Sequence, residues 1–231
     1  MSHILAARRS AVAPRNGAFA TLEPHDIATP VIDALLADAG LAPEDIGELI
    51  LSNALGAGGN PARVTALAAG LPQRVAGLTI DRQCASGLDA LLLAAAMVQS
   101  GLHEVVIAGG AESYSRRPQR LRSFADGRPP EPYDQARFTP WPERDPGMAE
   151  AADRLARDQG ISRETQDTWA IESHRKALAA TAPGIVRSED AGVGGGVETL
   201  AAAGAEDDVG DEVKGIALGR LTNGVPGGAG I

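Results

Sequence analysis

TIDRQCASGLDALLLAAAMVQSG, residues 79–101, decides how the rest of the chain is read. A short β-branched segment runs into Cys84, the single cysteine, and then through Ala85, Ser86 and Gly87 into a long apolar helix pattern. Leu88, Leu91, Leu92 and Ala95 mark the apolar stripe, and Cys84 stands outside it, at the turn. The first backbone N–H groups of a helix have no intrahelical partner, and together with the helix dipole they favour negative charge. The thiolate is the reactive form of a cysteine. A helix terminus contributes about 0.3–1 kcal/mol, up to ~2 kcal/mol where partly buried. That does not by itself make a nucleophile, which also needs a base. Without context, a lone cysteine reads as a small buried hydrophobe. Here the turn and its small neighbours point to a nucleophile.

Working outward, strands and helices alternate. Ile4–Ala7 reads as a short strand. Pro24–Ala39 reads as a helix, with Ile27, Val31, Leu35 and Leu36 on one face, Asp26 in the first turn and Gly40 as the stop. Ile46–Asn53 reads as a buried strand, and 56–60 as a glycine-rich loop. Pro61 opens a helix through Ala69, proline being favoured at the first helical position. Val75–Asp81 is a strand, Cys84–Ser100 a helix and Val105–Ala108 a strand ending in Gly109 and Gly110. The connections are long enough for right-handed parallel crossovers. The expected fold is therefore α/β, a mainly parallel sheet with flanking helices. Cys84 falls at the C-terminal end of a strand, where such sheets present their sites.

Residues 111–145 break the alternation. They hold six prolines and seven arginines and read as a long excursion with little regular structure. Helices are expected over Pro146–Gln159 and Arg163–Thr181, the second with Ser162 as N-cap. From Pro183 the periodicity fails, and 201–231 reads as irregular.

Composition excludes several function classes. The formal net charge of -9 disfavours binding to nucleic acid or an anionic membrane. One cysteine forbids an intrachain disulfide and a cysteine-rich metal site. His3, His25, His103 and His174 lie far apart in sequence, so no metal is expected. Arg8 and Arg9 interrupt the N-terminal apolar residues, and the longest apolar run, Ala90–Val98, is too short to span a bilayer. The chain reads as soluble and cytoplasmic.

CASGLDALLLAAAMVQSG followed by VVIAGGAESYS resembles the acyl-enzyme region of thiolases, the acetyl-CoA acetyltransferases and 3-ketoacyl-CoA thiolases. GNPARVTALAAGLP at 59–72 is similar to the family's N-P-A-R helix, and GISRETQDTWAIESHRKA at 160–177 to its I-S-R-E-x-Q-D segment. The resemblance covers residues 4–180. It implies that Cys84 is the catalytic nucleophile, carrying the acyl group as a thioester, with its own backbone N–H contributing to an oxyanion hole. It implies a core over 1–110 and a helical loop domain over 111–200 lying over coenzyme A. Met148 matches a methionine that lines the acyl-CoA site. Gly147 stands where the family usually has histidine, and Ala149 where it has glycine. The implied substrate is an acyl-CoA thioester, with no further cofactor.

Family members are about twice this length. The G-H-P histidine, the second cysteine of a C-x-G-G-G block and the N-E-A-F asparagine have no counterpart here. The expected sheet accordingly lacks its fifth strand, the second half is absent, and a truncation or frame change falls near residue 200. A homo-oligomer or a partner carrying the missing half is implied. A chain lacking base and second oxyanion donor acylates slowly, each loss costing about 10²–10³ in rate. Two other readings stand beside the transferase. One is a non-catalytic thiolase-like chain that binds CoA or a partner subunit. The other is a cysteine hydrolase using His103 or His174. Asn53 and Arg63 read as residues that shape loops and subunit contacts, and Glu112 as a structural ion-pair partner. The arginines of 116–144 either meet CoA phosphates or are solvated loop charge.

Overall fold

The computed structural model describes residues 2–56, 58–181 and 216–221. These fall into two compact units. The first runs to Pro118 and includes the strand at 216–221, and the second runs from Gln119 to the end of the last helix.

The first unit is built on a five-stranded sheet. β1 (Ser2–Arg8), β2 (Glu48–Ser52), β3 (Ala76–Ile80) and β4 (Val105–Gly110) alternate with α1 (Pro24–Ala39), α2 (Pro61–Ala68) and α3 (Ser86–Gln99). The strand order is β1-β7-β4-β2-β3, where β7 is Ile216–Leu221. β2 pairs in parallel with both β3 and β4, whereas β7 is antiparallel to β1 and β4. The mainly parallel sheet with flanking helices is thus present.

One expectation needs correction. The fifth strand is not missing: IALGRL enters the sheet between β1 and β4. It is six residues long, paired on both edges and without clean alternation, so periodicity alone cannot find it. The remainder of 201–231 lies outside the described residues.

The helices form where expected, for local reasons. α1 starts at Pro24, and the Glu23 N–H donates to the Asp26 carboxylate at 2.9 Å. It ends at Gly40, whose φ of +63° only glycine adopts readily. α2 is capped by Asn60, whose Oδ1 accepts from the Arg63 N–H at 3.2 Å. The same side chain donates to the Gly77 carbonyl at 2.6 Å, which ties the helix start to β3. At Gly77 the helix backbone comes so close that a Cβ would stand 2.5 Å from Arg63 Cα, so only glycine fits.

The sheet's two faces carry separate cores. Leu49, Leu51, Val105 and Ile107 face α1 and α2 and join Ile27, Val31, Ile32, Leu35, Ala62 and Ala66 in the larger cluster. Ile50, Val106 and Ala108 face α3 and join Ala90, Ala94 and Val98 in a smaller cluster, with the half-buried Leu78, Ile80, Leu91 and Met97 packed against it.

The second unit holds a short antiparallel hairpin, β5 (Arg120–Arg122) with β6 (Glu131–Tyr133), then α4 (Met148–Asp158) and α5 (Arg163–Thr181). The hairpin was not expected. Its strands are three residues each and Pro132 sits inside one, which edge pairing tolerates. Ser162 caps α5 by accepting the Thr165 N–H at 3.2 Å. Side-chain pairs one helical turn apart line both helices, including Arg157 with Asp153 and Arg163 with Asp167.

Candidate active site

Cys84 is exposed and lies in the turn that links the end of β3 to the start of α3. The helix begins two residues later than the sequence pattern suggested. Ala85 occupies the N-cap position and offers no side-chain acceptor. The N–H groups of the first turn therefore lack a capping side chain from that position, and a negative charge beside them is favoured.

The turn is fastened by its neighbours. Gln83 has φ of +52°, a left-handed conformation that a residue with a Cβ adopts only under constraint. Its N–H donates to Asp81 Oδ1 at 2.8 Å. Ser86, fully buried, donates from Oγ to the Gln83 carbonyl at 2.7 Å and accepts the Arg82 N–H. Arg82 reaches across one turn to Asp89, with both oxygens of the carboxylate within 3.0 Å of Nη1. Sequence reasoning singled out the cysteine and missed Asp81, Gln83, Ser86 and Asp89. Asp-x-Gln with a serine two residues past the cysteine is a turn signature in retrospect, since aspartate and serine bond nearby backbone groups.

A second group stands at the same end of the sheet. Asn53, buried just past β2, donates from Nδ2 to the Ala111 carbonyl at 2.9 Å and to Glu112 Oε2 at 3.0 Å. Its backbone N–H donates to the Ile80 carbonyl at 3.1 Å. Glu112 accepts the Ala54 N–H, and the Leu55 N–H at 3.3 Å. Its observed bonds include the Asn53 amide and backbone donors of the loop after β2, where the sequence suggests a structural ion pair. Arg63 shapes a loop as expected, donating to the Val75 and Gln73 carbonyls.

The other candidates lie elsewhere. His103 precedes β4 and packs against Gly47, at the N-terminal end of the sheet. β3 has five residues, so roughly 15 Å of strand separates that end from the Cys84 turn. A cysteine hydrolase that uses His103 is ruled out. His103 Nε2 instead stands 3.8 Å from Glu48, whose carboxyl is pushed up by burial, with His103 opposing the shift. His174 is exposed on α5, beside the Arg175 and Lys176 that pair with Glu172. Met148 is the first residue of α4 and 67% exposed. Among the loop arginines, Arg117 stacks over Tyr114 at 4.0 Å and Arg128 over Phe124 at 3.4 Å, while Arg116 pairs with Glu23 at 3.0 Å. Among the described residues no group of three metal-ligating side chains forms, and no helix is long and apolar enough to cross a membrane.

Residues 2–190 match the profile described as "Thiolase, N-terminal domain". The chain belongs to the thiolase family. A Bacillus subtilis protein named "Putative acetyl-CoA C-acetyltransferase YhfS" is 39% identical over 191 residues, covering 83% of this chain and 48% of that protein. "Putative acetyl-CoA C-acetyltransferase VraB" of Staphylococcus aureus is 37% identical over 189 residues, covering 80% and 50%. The crystal structure of the Bacillus anthracis acetyl-CoA acetyltransferase superposes with a TM-score of 0.77 at 29% identity, over 95% of this chain and 65% of that one. This thiolase chain spans about half the length of the curated relatives it matches. The matched thiolase region takes in the Cys84 turn, the Asn53–Glu112 group and both helices of the second unit.

Proposed function

We propose that this chain serves thiolase-type acyl transfer, with Cys84 as the nucleophile that carries the acyl group. One observation carries the reading: the only cysteine is exposed in a constrained turn, at the uncapped start of α3 and the C-terminal end of the sheet. In the step proposed, the Cys84 thiolate attacks the carbonyl carbon of acetyl-CoA. The bond from that carbon to the CoA sulfur breaks, an acetyl thioester forms on Cys84, and CoA leaves as a thiolate that takes up a proton. The two relatives named for acetyl-CoA C-acetyltransferase activity support the substrate class. In the same reading residues 1–110 are the core and 111–200 the loop domain, with Met148 against the acyl-CoA. The acyl-CoA is a substrate and no separate cofactor is required. The chain works in the cytoplasm, as a homo-oligomer or with a partner that supplies the remaining half.

Incubation of the purified chain with acetyl-CoA, followed by intact-mass analysis, should show one acetyl group, absent from Cys84→Ser. Iodoacetamide labelling of Cys84 serves as the control for access. Labelling without any acetyl adduct would overturn the reading.

A second reading is a thiolase-like chain that binds CoA or a partner without turnover. It is favoured by the single cysteine and by the lack of any histidine after His174. Turnover by the purified chain that disappears in Cys84→Ser would exclude it.

A further inference from the structure

The Asn53–Glu112 group ties the loop after β2 to the chain just past β4, and one of its bonds reaches the strand that leads into the Cys84 turn. Glu112 accepts the Asn53 amide, at 3.0 Å, and the N–H groups of Ala54 and Leu55. Asn53 in turn is held at four points or more. Its amide also donates to the carbonyl of Ala111, the residue after β4. Its Oδ1 accepts the Gly56 N–H at 2.9 Å. Its own N–H donates to the carbonyl of Ile80 at 3.1 Å. Ile80 is the last residue of β3, and the turn that presents Cys84 begins at the next residue, Asp81.

From this geometry we propose that Glu112 is a positioning residue for Cys84. It holds Asn53, Asn53 holds the end of β3, and the end of β3 sets where the strained Gln83–Cys84 turn meets the start of α3. A carboxylate suits the task because it is acceptor-only and can take several N–H donors at once. Hydrogen bonds to a charged acceptor are roughly twice as strong as neutral ones. The inference rests on the proposed role of Cys84, but the test does not require acyl transfer.

The test compares the full chain with Glu112→Gln and Glu112→Ala, by amide hydrogen exchange and by the rate at which iodoacetamide alkylates the single cysteine. Glutamine keeps the size and one acceptor oxygen but turns an NH₂ toward backbone donors, so its effects should be intermediate. In Glu112→Ala, exchange over 81–86 should rise roughly tenfold, the scale of losing one charge-assisted bond. Exchange over 48–52 should stay unchanged. Alkylation at neutral pH should fall about two- to fivefold, the share a helix terminus contributes to a nearby anion. Faster exchange confined to 53–59, with alkylation unchanged, would make Glu112 a loop staple only and overturn the proposal. If Glu112→Ala unfolds, Glu112→Gln is the variant read. Unfolding of both would make Glu112 a determinant of the fold and overturn the proposal as well. A chain that passes this test yet takes no acetyl group from acetyl-CoA would refute the acyl-transfer reading alone.

Discussion

α1 and α3 lie on opposite faces of one sheet, and they are covered to different degrees. α1 buries Ile27, Ala28, Val31, Ile32, Leu35 and Leu36 and turns polar residues outward. α3 buries only Ser86, Ala90, Ala94 and Val98, all small or medium side chains, and points leucines outward. Leu88 is 63% and Leu92 60% exposed, whereas Leu35 is fully buried. A helix that is apolar all round is normally a buried helix. The difference teaches that the α1 face is a finished core, while α3 has the composition of a helix covered on both sides. Contiguous exposed apolar surface of this kind marks an interaction site. On the proposed function, that is where a second copy or a partner half would lie.

The largest expected effect tests the contrast directly. Leu35→Ala should lose about 2–5 kcal/mol, the cost of a cavity in a packed core. Leu92→Ala should stay within about 0.5 kcal/mol, as exposed sites do. Urea unfolding of the two variants measures both. Equal losses would mean that α3's outer face is already covered in the chain as it stands. A smaller effect follows from putting charge on that face. Leu88→Lys with Leu92→Lys should shift sedimentation toward monomer and leave the unfolding midpoint nearly unchanged. A midpoint that collapses would show that those leucines support the fold itself.

The same contrast explains what could be read from sequence. α1 was legible to the residue, because its stripe, first-turn acid and glycine stop agree with one another. The three parallel strands were legible as short apolar runs between helices. β7 was not, since it is a short run with no alternation and a partner on each edge. The β5–β6 hairpin was hidden by the prolines around it. At the site, Cys84 stood out because it is the only cysteine and sits at a turn. Its supports did not: Asp81, Gln83 and Ser86 act through local bonds whose residue types are common in any turn, and Asn53 acts through contacts distant in sequence. Nothing near Asn53 announces that it will meet Glu112, 59 residues on. The left-handed Gln83 was equally silent, as glutamine carries no preference for that conformation.

The smallest expected effect lies on the α3 face too, at Glu48. Its side chain opens the β2 row that continues to Ile50 on that face. Its Oε1 is buried with no hydrogen-bond partner among the described residues. Burial raises its carboxyl above the ordinary 4.5, and His103, at 3.8 Å, offsets part of the rise. A carboxyl raised in the folded state binds its proton more tightly there than in the unfolded chain. Its contribution to stability is therefore full below about 4.5 and is lost as pH rises through the folded value. Glu48→Gln removes that loss, because the amide stays neutral at every pH. The variant should melt ~1–2 °C higher than the wild type at pH 7, and the gain should vanish at pH 4. Thermal melts of both proteins across that range measure it. A gain that persists at pH 4 would place the effect in packing instead of ionisation. A loss at pH 7 would mean that the pairing with His103 outweighs the burial of the charge.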